Sequence, residues 1–313
     1  MLAKLKDTVK AWLLKRGYEI TSVNTSLVFE NYYKNLVGNI TCTNDELCSL
    51  VFSKDRAMQL HAFLESYFEN VQHPSKVIIL YKASTEAHQQ AYKDVEEIFE
   101  KLPVQFIAET NFRAQLIEVV KQQTAQRILM YVDDMIFTQP FDYSLLQSIN
   151  PYETIVSLSR GLDLTYSPVL LQPLELPAFT KANDGLMEFR WDDIKTFSDW
   201  SYPLGVSGYM FSKWEIVSMM EAVPFKAPNS LETALQIFMP YFKGRKGICT
   251  VNAVSVCIHA NITQTEGENP VHSEFTIDNL LEKWNEGLRI DYSKFYHKPI
   301  NDTQVQAYTF VNR

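Results

Sequence analysis

The chain has no basic surplus: 37 acidic side chains face 29 basic ones over 313 residues, a formal net charge of -8. Proteins that follow a nucleic-acid backbone usually show the opposite balance, so nucleic acid is not an expected partner. There is no run approaching the roughly 20 apolar residues that a spanning helix needs. The N-terminus also lacks the continuous apolar core of a signal peptide. Cysteine is scarce, and Cys42, Cys48, Cys249 and Cys257 show neither zinc-ligand spacing nor the density of a disulfide scaffold. A reducing cytoplasm fits that usage, and there the N-x-Ser/Thr triplets at Asn24, Asn39, Asn261 and Asn301 carry no meaning. No internal repeat, low-complexity segment or glycine-rich phosphate loop is present.

What is present is enough apolar residue for one large α/β domain that folds without staples. Leu2, Leu5, Val9, Trp12 and Leu13 fall near one helical face, with Lys4, Lys6, Lys10, Lys15 and Arg16 supplying positive charge. Residues 1–20 therefore read as an amphipathic helix. Such a helix can rest on the inner face of an anionic membrane, here through residues 1–18, although the same stripe also suits packing on its own domain or a partner subunit.

From Leu47 short apolar runs alternate with helical segments, the pattern of βαβ units and a mostly parallel sheet. Strands are expected at 47–53, 76–81, 104–108 and 127–132, with helices at 55–68, 86–102 and 112–123. The first helix offers Met58, Leu60, Phe63, Leu64 and Tyr67 to a buried side. Beyond Pro140 the texture loosens. A strand is expected at 154–159, Pro168, Pro173 and Pro177 mark loops, and strands follow at 206–211 and 248–259. Helices are expected at 214–222, 231–242 and 277–285. The organisation expected is an amphipathic segment (1–20), a nucleotide-binding half (45–140), an acceptor-binding half (141–265) and a C-terminal extension (266–313).

The most informative stretch is Arg127-Ile128-Leu129-Met130-Tyr131-Val132-Asp133-Asp134, a buried-strand pattern that ends in two adjacent carboxylates. Open α/β sheets bind ligands beyond the carboxyl ends of their strands. Hard carboxylate oxygens at that rim can hold a divalent cation against a phosphate. Strict alternation would send Asp133 and Asp134 to opposite sides, which favours divided roles over joint chelation.

With Phe52-Ser53-Lys54-Asp55-Arg56 after the first strand, Val132-Asp133-Asp134 after the fourth, and Pro228-Asn229-Ser230-Leu231-Glu232 later, the chain resembles GT-A-fold glycosyltransferases of the bacterial-polysaccharide kind over about residues 47–262. The acids are adjacent here, with Met135 after them, so no literal D-x-D motif is present. The resemblance implies a nucleotide-diphosphate sugar donor, a carbohydrate or glycolipid acceptor, and Mn2+ or Mg2+. It assigns Asp134 to the metal and Asp133, Ser53, Asp55 and Arg56 to the nucleotide, with Glu109, Asn111 and Arg113 a weaker set. It makes Glu232 the general base of an inverting displacement, and His259 a further metal ligand.

Several of these residues have a second reading. Asp55 can cap the helix that follows it, and Asn229 to Glu232 has the spacing of a capping box. Asp192, Asp193, Asp199, Trp200 and Tyr202 have the composition of a sugar-acceptor surface, yet large aromatics also build cores. A sugar-phosphate nucleotidyltransferase would share the α/β fold and the acids but needs the glycine-rich loop that is missing. A catalytically silent carbohydrate-binding subunit would leave the acids structural.

Overall fold

The computed structural model describes residues 25–39, 44–167, 171–183, 185–195, 198–242, 244–258, 275–299, 301, 304–305 and 309–313. The expected helix over residues 1–20 and His259 lie outside them.

After helix α1 (Thr25–Asn39), three βα steps and a fourth strand follow in the expected order. They are β1 (Leu47–Lys54), α2 (Ala57–Asn70), β2 (Lys76–Lys82), α3 (Glu86–Ile98), β3 (Val104–Ala108), α4 (Phe112–Gln122) and β4 (Arg127–Val132). The short β5 (Met135–Phe137) leaves this rim. The second half supplies β6 (Thr154–Gly161), β7 (Thr180–Asn183), β8 (Leu186–Arg190), β9 (Tyr209–Ser212), α5 (Lys213–Ala222), α6 (Pro228–Leu235), β10 (Lys246–Thr250) and β11 (Ser255–Ile258). The chain closes with α7 (Ile277–Asn285), β12 (Leu288–Asp291) and β13 (Thr309–Asn312).

Nine strands form one sheet in the order β7-β8-β10-β6-β9-β4-β1-β2-β3. β3, β2, β1 and β4 are mutually parallel neighbours, which is the first half of a Rossmann arrangement. β6 and β10 also pair in parallel, while β9 runs against both β4 and β6 and β8 runs against β7 and β10. Both faces of the central strands are covered, which is why they read as continuous apolar runs. Val51, Leu129 and Tyr131 meet α2 on one side, and Leu50, Phe52, Ile128 and Met130 meet α4 and α5 on the other.

Helix α2 is buried nearly all round, the expected Met58, Leu60, Phe63, Leu64 and Tyr67 included. It lies between the sheet and the C-terminal segment, so apolar residues suit almost every side of it. That segment is packed on the first half: Trp284 donates its indole N–H to Asp94 at 3.1 Å, Arg289 pairs with Glu65 at 2.8 Å, and Tyr292 reaches Glu69 at 3.2 Å. Thr276 caps α7, its hydroxyl accepting from the Asn279 N–H at 3.1 Å.

His61, on α2, packs against Phe99 and Trp284, and its Nδ1 makes no hydrogen bond. Burial, with help from Arg289 and Arg313, lowers its pKa from 6.5 to about 4. The unfolded chain therefore binds a proton between those values that the folded chain refuses, and stability falls as pH drops through that window. The loss expected from this side chain is about 3 kcal/mol, at 1.36 kcal/mol per unit. Urea unfolding at pH 7 and pH 4 should show a shallower pH slope for His61→Phe than for wild type; equal slopes would overturn the assignment.

Three expectations change. The 248–259 segment is two strands, β10 and β11, paired in different sheets. The 231–242 helix is broken into α6, a 3-10 turn at Gln236–Phe238 and one last turn at Met239–Phe242. The 206–211 strand begins only at Tyr209, because Val206, Ser207 and Gly208 form the bend that carries the chain onto the sheet rim.

Candidate active site at the carboxyl rim

β4 ends at Val132, and Asp133 and Asp134 occupy a turn before β5. Alternation stops with the strand, so the two carboxylates converge instead of diverging, against the reading from strand periodicity. Nη1 of Arg56 lies 3.1 Å from Asp133 Oδ1 and 3.0 Å from Asp134 Oδ2. Asp133 also accepts from the Ser53 hydroxyl at 2.8 Å and from the Lys54 N–H at 3.3 Å. The Ser53 hydroxyl in turn sits 2.6 Å from the Tyr92 hydroxyl, which accepts from the Arg56 N–H at 3.1 Å. An ionised Asp133 only accepts, so Ser53 donates to it and Tyr92 donates to Ser53.

Burial pushes the Asp133 carboxyl up; Arg56 opposes that push and Asp134 adds to it. Burial also works against the charge of Arg56, and Asp133 and Asp134 more than offset it, so the guanidinium stays charged. The side chain of Asp133 is 3% exposed and that of Asp134 11%, which makes Asp134 the more open oxygen donor.

Asp55 neither caps α2 nor faces the acid pair. The cap position is Arg56, without a side-chain bond. Asp55 adopts φ 56°, a left-handed conformation that Asp tolerates better than most residues. Its carboxylate accepts from the Ser84 N–H at 2.6 Å and the Ser84 hydroxyl at 2.7 Å, tying the end of β1 to the loop after β2. Among the weaker set, Asn111 caps α4 by accepting from the Ala114 N–H at 3.0 Å. Arg113 donates to the carbonyls of Met220, Glu221 and Val223 at the end of α5. Glu109 pairs with Lys82 at 3.4 Å.

β9 runs against β4, with Tyr209 opposite Met130, so the Val206–Gly208 bend lies at the same rim as the acids. Gly208 has φ +80°, and a Cβ there would stand 3.2 Å from Met135 Cε and 3.3 Å from Ser159 N, so only glycine fits easily. Gly205, by contrast, makes room for the Tyr209 ring. The Val206 N–H donates to Glu232 Oε2 at 2.9 Å.

Glu232 thus does not close a capping box with Asn229. The α6 cap position is Ala227, and Ser230 Oγ accepts from the Lys226 and Ala227 N–H groups. Burial raises the Glu232 carboxyl above its usual range, while the Val206 N–H, a bond from Tyr202 and the charge of Arg160 pull it down. Cys257 joins the two parts of the rim. It pairs with Met135 across β11 and β5, and burial raises its thiol, with Asp134, Arg56, Glu232 and Asp133 all within electrostatic reach.

The candidate acceptor residues separate. Tyr202 is bonded to Glu232. Asp199 gives its backbone carbonyl to Arg160, whose Nε donates at 3.1 Å. Trp200 is fully buried, its ring against Phe179 and Phe189 and its indole N–H donated to the Leu164 carbonyl at 3.2 Å. It is core, not a stacking platform, because a tryptophan with both faces covered has none left for a sugar. Asp192 pairs with Arg190 at 2.9 Å on the surface.

Arg160 is the main residue that sequence reasoning missed. It is the penultimate residue of β6, whose eight residues are all buried, and stands over the Tyr209 ring at 5.2 Å. A charge ending the run Ile155-Val156-Ser157-Leu158-Ser159 was the available signal, since an Arg is almost never fully buried unless paired.

No group of three or more His, Cys, Asp or Glu side chains stands together among the described residues. Asp133 and Asp134 nevertheless direct hard oxygens at one cationic atom. A magnesium-type site needs only one or two carboxylates when substrate phosphates and water complete the shell, so the donor set fits a divalent ion. A cavity of about 280 Å³ lies elsewhere, at the amino-terminal ends of β1 and β2 beside His73 and Lys76.

This is a GT-A-like glycosyltransferase fold: a single α/β domain with a mostly parallel central sheet flanked by helices, and two acids at the end of its fourth strand. Among curated proteins the chain is similar to the bifunctional glycosyltransferase pgtA of Dictyostelium discoideum, 24% identical over 240 residues, which is 71% of this chain and 28% of that protein. The chain thus spans just over a quarter of that relative's length. Among solved structures it resembles the mannosyltransferase PcManGT from Pyrobaculum calidifontis in complex with GDP-Man and Mn2+ at 14% identity and TM-score 0.39, covering 73% of this chain and 65% of that one. It also resembles S. aureus TarS 1-349 in complex with UDP-GlcNAc at 13% identity and TM-score 0.42, covering 71% and 60%. No protein-family profile matches the chain.

Proposed function

We propose that the protein is a glycosyltransferase that moves a sugar from a nucleotide-diphosphate donor to a hydroxyl of a carbohydrate or glycolipid. The observation that carries this reading is the meeting, at one sheet rim, of a converging acid pair with a separate carboxylate of raised pKa. Asp133 and Asp134 would hold Mn2+ or Mg2+, with Asp134 the more open ligand and His259 a further candidate outside the described residues. That ion, when bound, supplies Lewis-acid charge to the departing diphosphate.

The chain's own residues do the rest. Ser53, Lys54 N–H and Arg56 fix Asp133, and Tyr92 fixes Ser53. Glu232, fixed by Val206 N–H, takes the proton of the acceptor hydroxyl. That oxygen forms its bond to the anomeric carbon as the bond to the diphosphate oxygen breaks, and the diphosphate leaves with the electron pair. A base separate from the leaving-group site makes direct displacement with inversion the mechanism this arrangement favours. Tyr202 and Asp199, at the Glu232 side, would meet the acceptor. The three cysteines described, Cys48, Cys249 and Cys257, are free, which supports a reducing, cytoplasmic setting.

A panel of UDP-, GDP- and other nucleotide sugars, scored by thermal shift with and without Mn2+, tests the reading, because a ligand raises the stability of the state it binds. A shift of several degrees that needs both one donor and the metal is expected. Silence across the panel would favour a carbohydrate-binding subunit with structural acids.

A further inference from the structure

Arg56 is placed where a cofactor ion would be expected to act. One nitrogen, Nη1, lies within 3.1 Å of both carboxylates, and the side chain is 11% exposed. The backbone on either side is pinned: Asp55 is anchored to Ser84, and the Arg56 N–H is bonded to the Tyr92 hydroxyl. The guanidinium is thus held at the acid pair from a fixed base by a flexible stem. Two adjacent buried carboxylates could not both stay ionised without a cation between them, and in this structure the cation is part of the chain.

We propose that Arg56 is a built-in counter-cation that competes with the divalent ion for Asp133 and Asp134, so that metal binding and release of the guanidinium are one linked event. The inference rests on the metal-dependent reading above. Its physical content is mutual exclusion: a hard cation taking Asp133 Oδ1 and Asp134 Oδ2 would place two or more positive charges where Nη1 now lies, within a few ångströms of the guanidinium. The consequence is that the protein alone holds the metal weakly. A freed guanidinium is also a planar, permanently charged group suited to phosphate oxygens. The arrangement would therefore favour metal that arrives together with a diphosphate, and the acids stay neutralised between turnovers.

The test is Mn2+ binding to the full chain with no nucleotide present, followed by the loss of the free-ion electron paramagnetic resonance signal. Removing the competitor with Arg56→Gln should tighten Mn2+ binding about tenfold or more. Lys246→Gln, which removes the same charge on β10, from an exposed pair with Glu188 away from the acid pair, should change it less than twofold. Arg56→Gln should also gain more thermal stability from Mn2+ than wild type gains, since its acids have no other partner; that second readout holds even if the variant is less stable without metal. Unchanged or weaker Mn2+ binding by Arg56→Gln would overturn the competition, as would equal tightening by Lys246→Gln. Wild-type-like Mn2+ binding by Asp133→Asn/Asp134→Asn would instead overturn the site reading itself, and absence of binding in every variant would overturn both.

Discussion

Replacing Glu232 with Gln is expected to lower the rate of sugar transfer by about 10²- to 10⁴-fold, the range a positioned general base supplies, while leaving the fold and donor binding intact. The asymmetry comes from what the side chain does in the structure. Its Oε2 accepts from the Val206 N–H at 2.9 Å, and a glutamine carbonyl can accept the same bond. What a glutamine cannot do is take a proton. Burial holds the Glu232 carboxyl above its usual range, so its protonated form is favoured on folding. That contribution to stability is present at low pH and lost as pH rises through the folded pKa. Near neutrality the neutral amide should therefore be as stable as wild type or slightly more so. The same shift puts the acid limb of the wild-type kcat/KM profile above the ordinary carboxylate range, and activity should rise with pH through it. Steady-state transfer assays across pH, paired with urea unfolding, check both halves. Normal turnover by the variant would remove Glu232 from the chemistry, and lost turnover with a collapsed fold would leave it only structural.

The first half of the fold was legible because local and global signals agree there. β3 and β4 begin and end where the apolar runs do, and α2 buries the very residues its spacing offers. Covered on both faces, β1 and β4 write their burial directly into composition. The second half was not legible in the same way. β9 enters between β4 and β6 from late in the chain, a pairing set by tertiary contacts that no local period records. The break between β10 and β11 likewise sits inside one apolar stretch, so the run alone suggested one long strand. The site shows the same division. Asp133, Asp134, Ser53 and Arg56 were identifiable because they follow strands whose ends are clear. Their geometry was not, since the turn at Asp133 cancels the alternation that strand logic assumes. Trp200 looked like a sugar platform because composition cannot say whether a ring is accessible; it is wholly buried, with Phe179 and Phe189 packed against it. Arg160 was missed because an arginine at the end of a buried strand reads as the strand's boundary until its partner, the Asp199 carbonyl, is seen.

Removing the acid pair is expected to have two separable effects, and the structure says how to separate them. Alanine at both Asp133 and Asp134 would leave the nearly buried Arg56 without either of its carboxylate partners. An uncompensated buried charge costs about 3–5 kcal/mol, so this double variant should be strongly destabilised before any question of catalysis arises. Asparagine keeps acceptor oxygens in place while removing the negative charge, and Asp133→Asn/Asp134→Asn is the variant that should fold and yet lose its response to Mn2+, with transfer reduced at least a hundredfold. Between the single alanine variants the burden is unequal. Asp133 serves Ser53, Lys54 N–H and Arg56 together, whereas Asp134 is the more exposed and bonds Arg56. Asp133→Ala should therefore lose the larger share of stability, and Asp134→Ala should lose metal response with a smaller change in unfolding midpoint. Urea midpoints and Mn2+-induced thermal shifts on the four proteins measure both. An Asp133→Ala protein as stable as wild type would contradict the bridge to Arg56, and full transfer by the asparagine pair would show that the rim does not bind the donor through these acids.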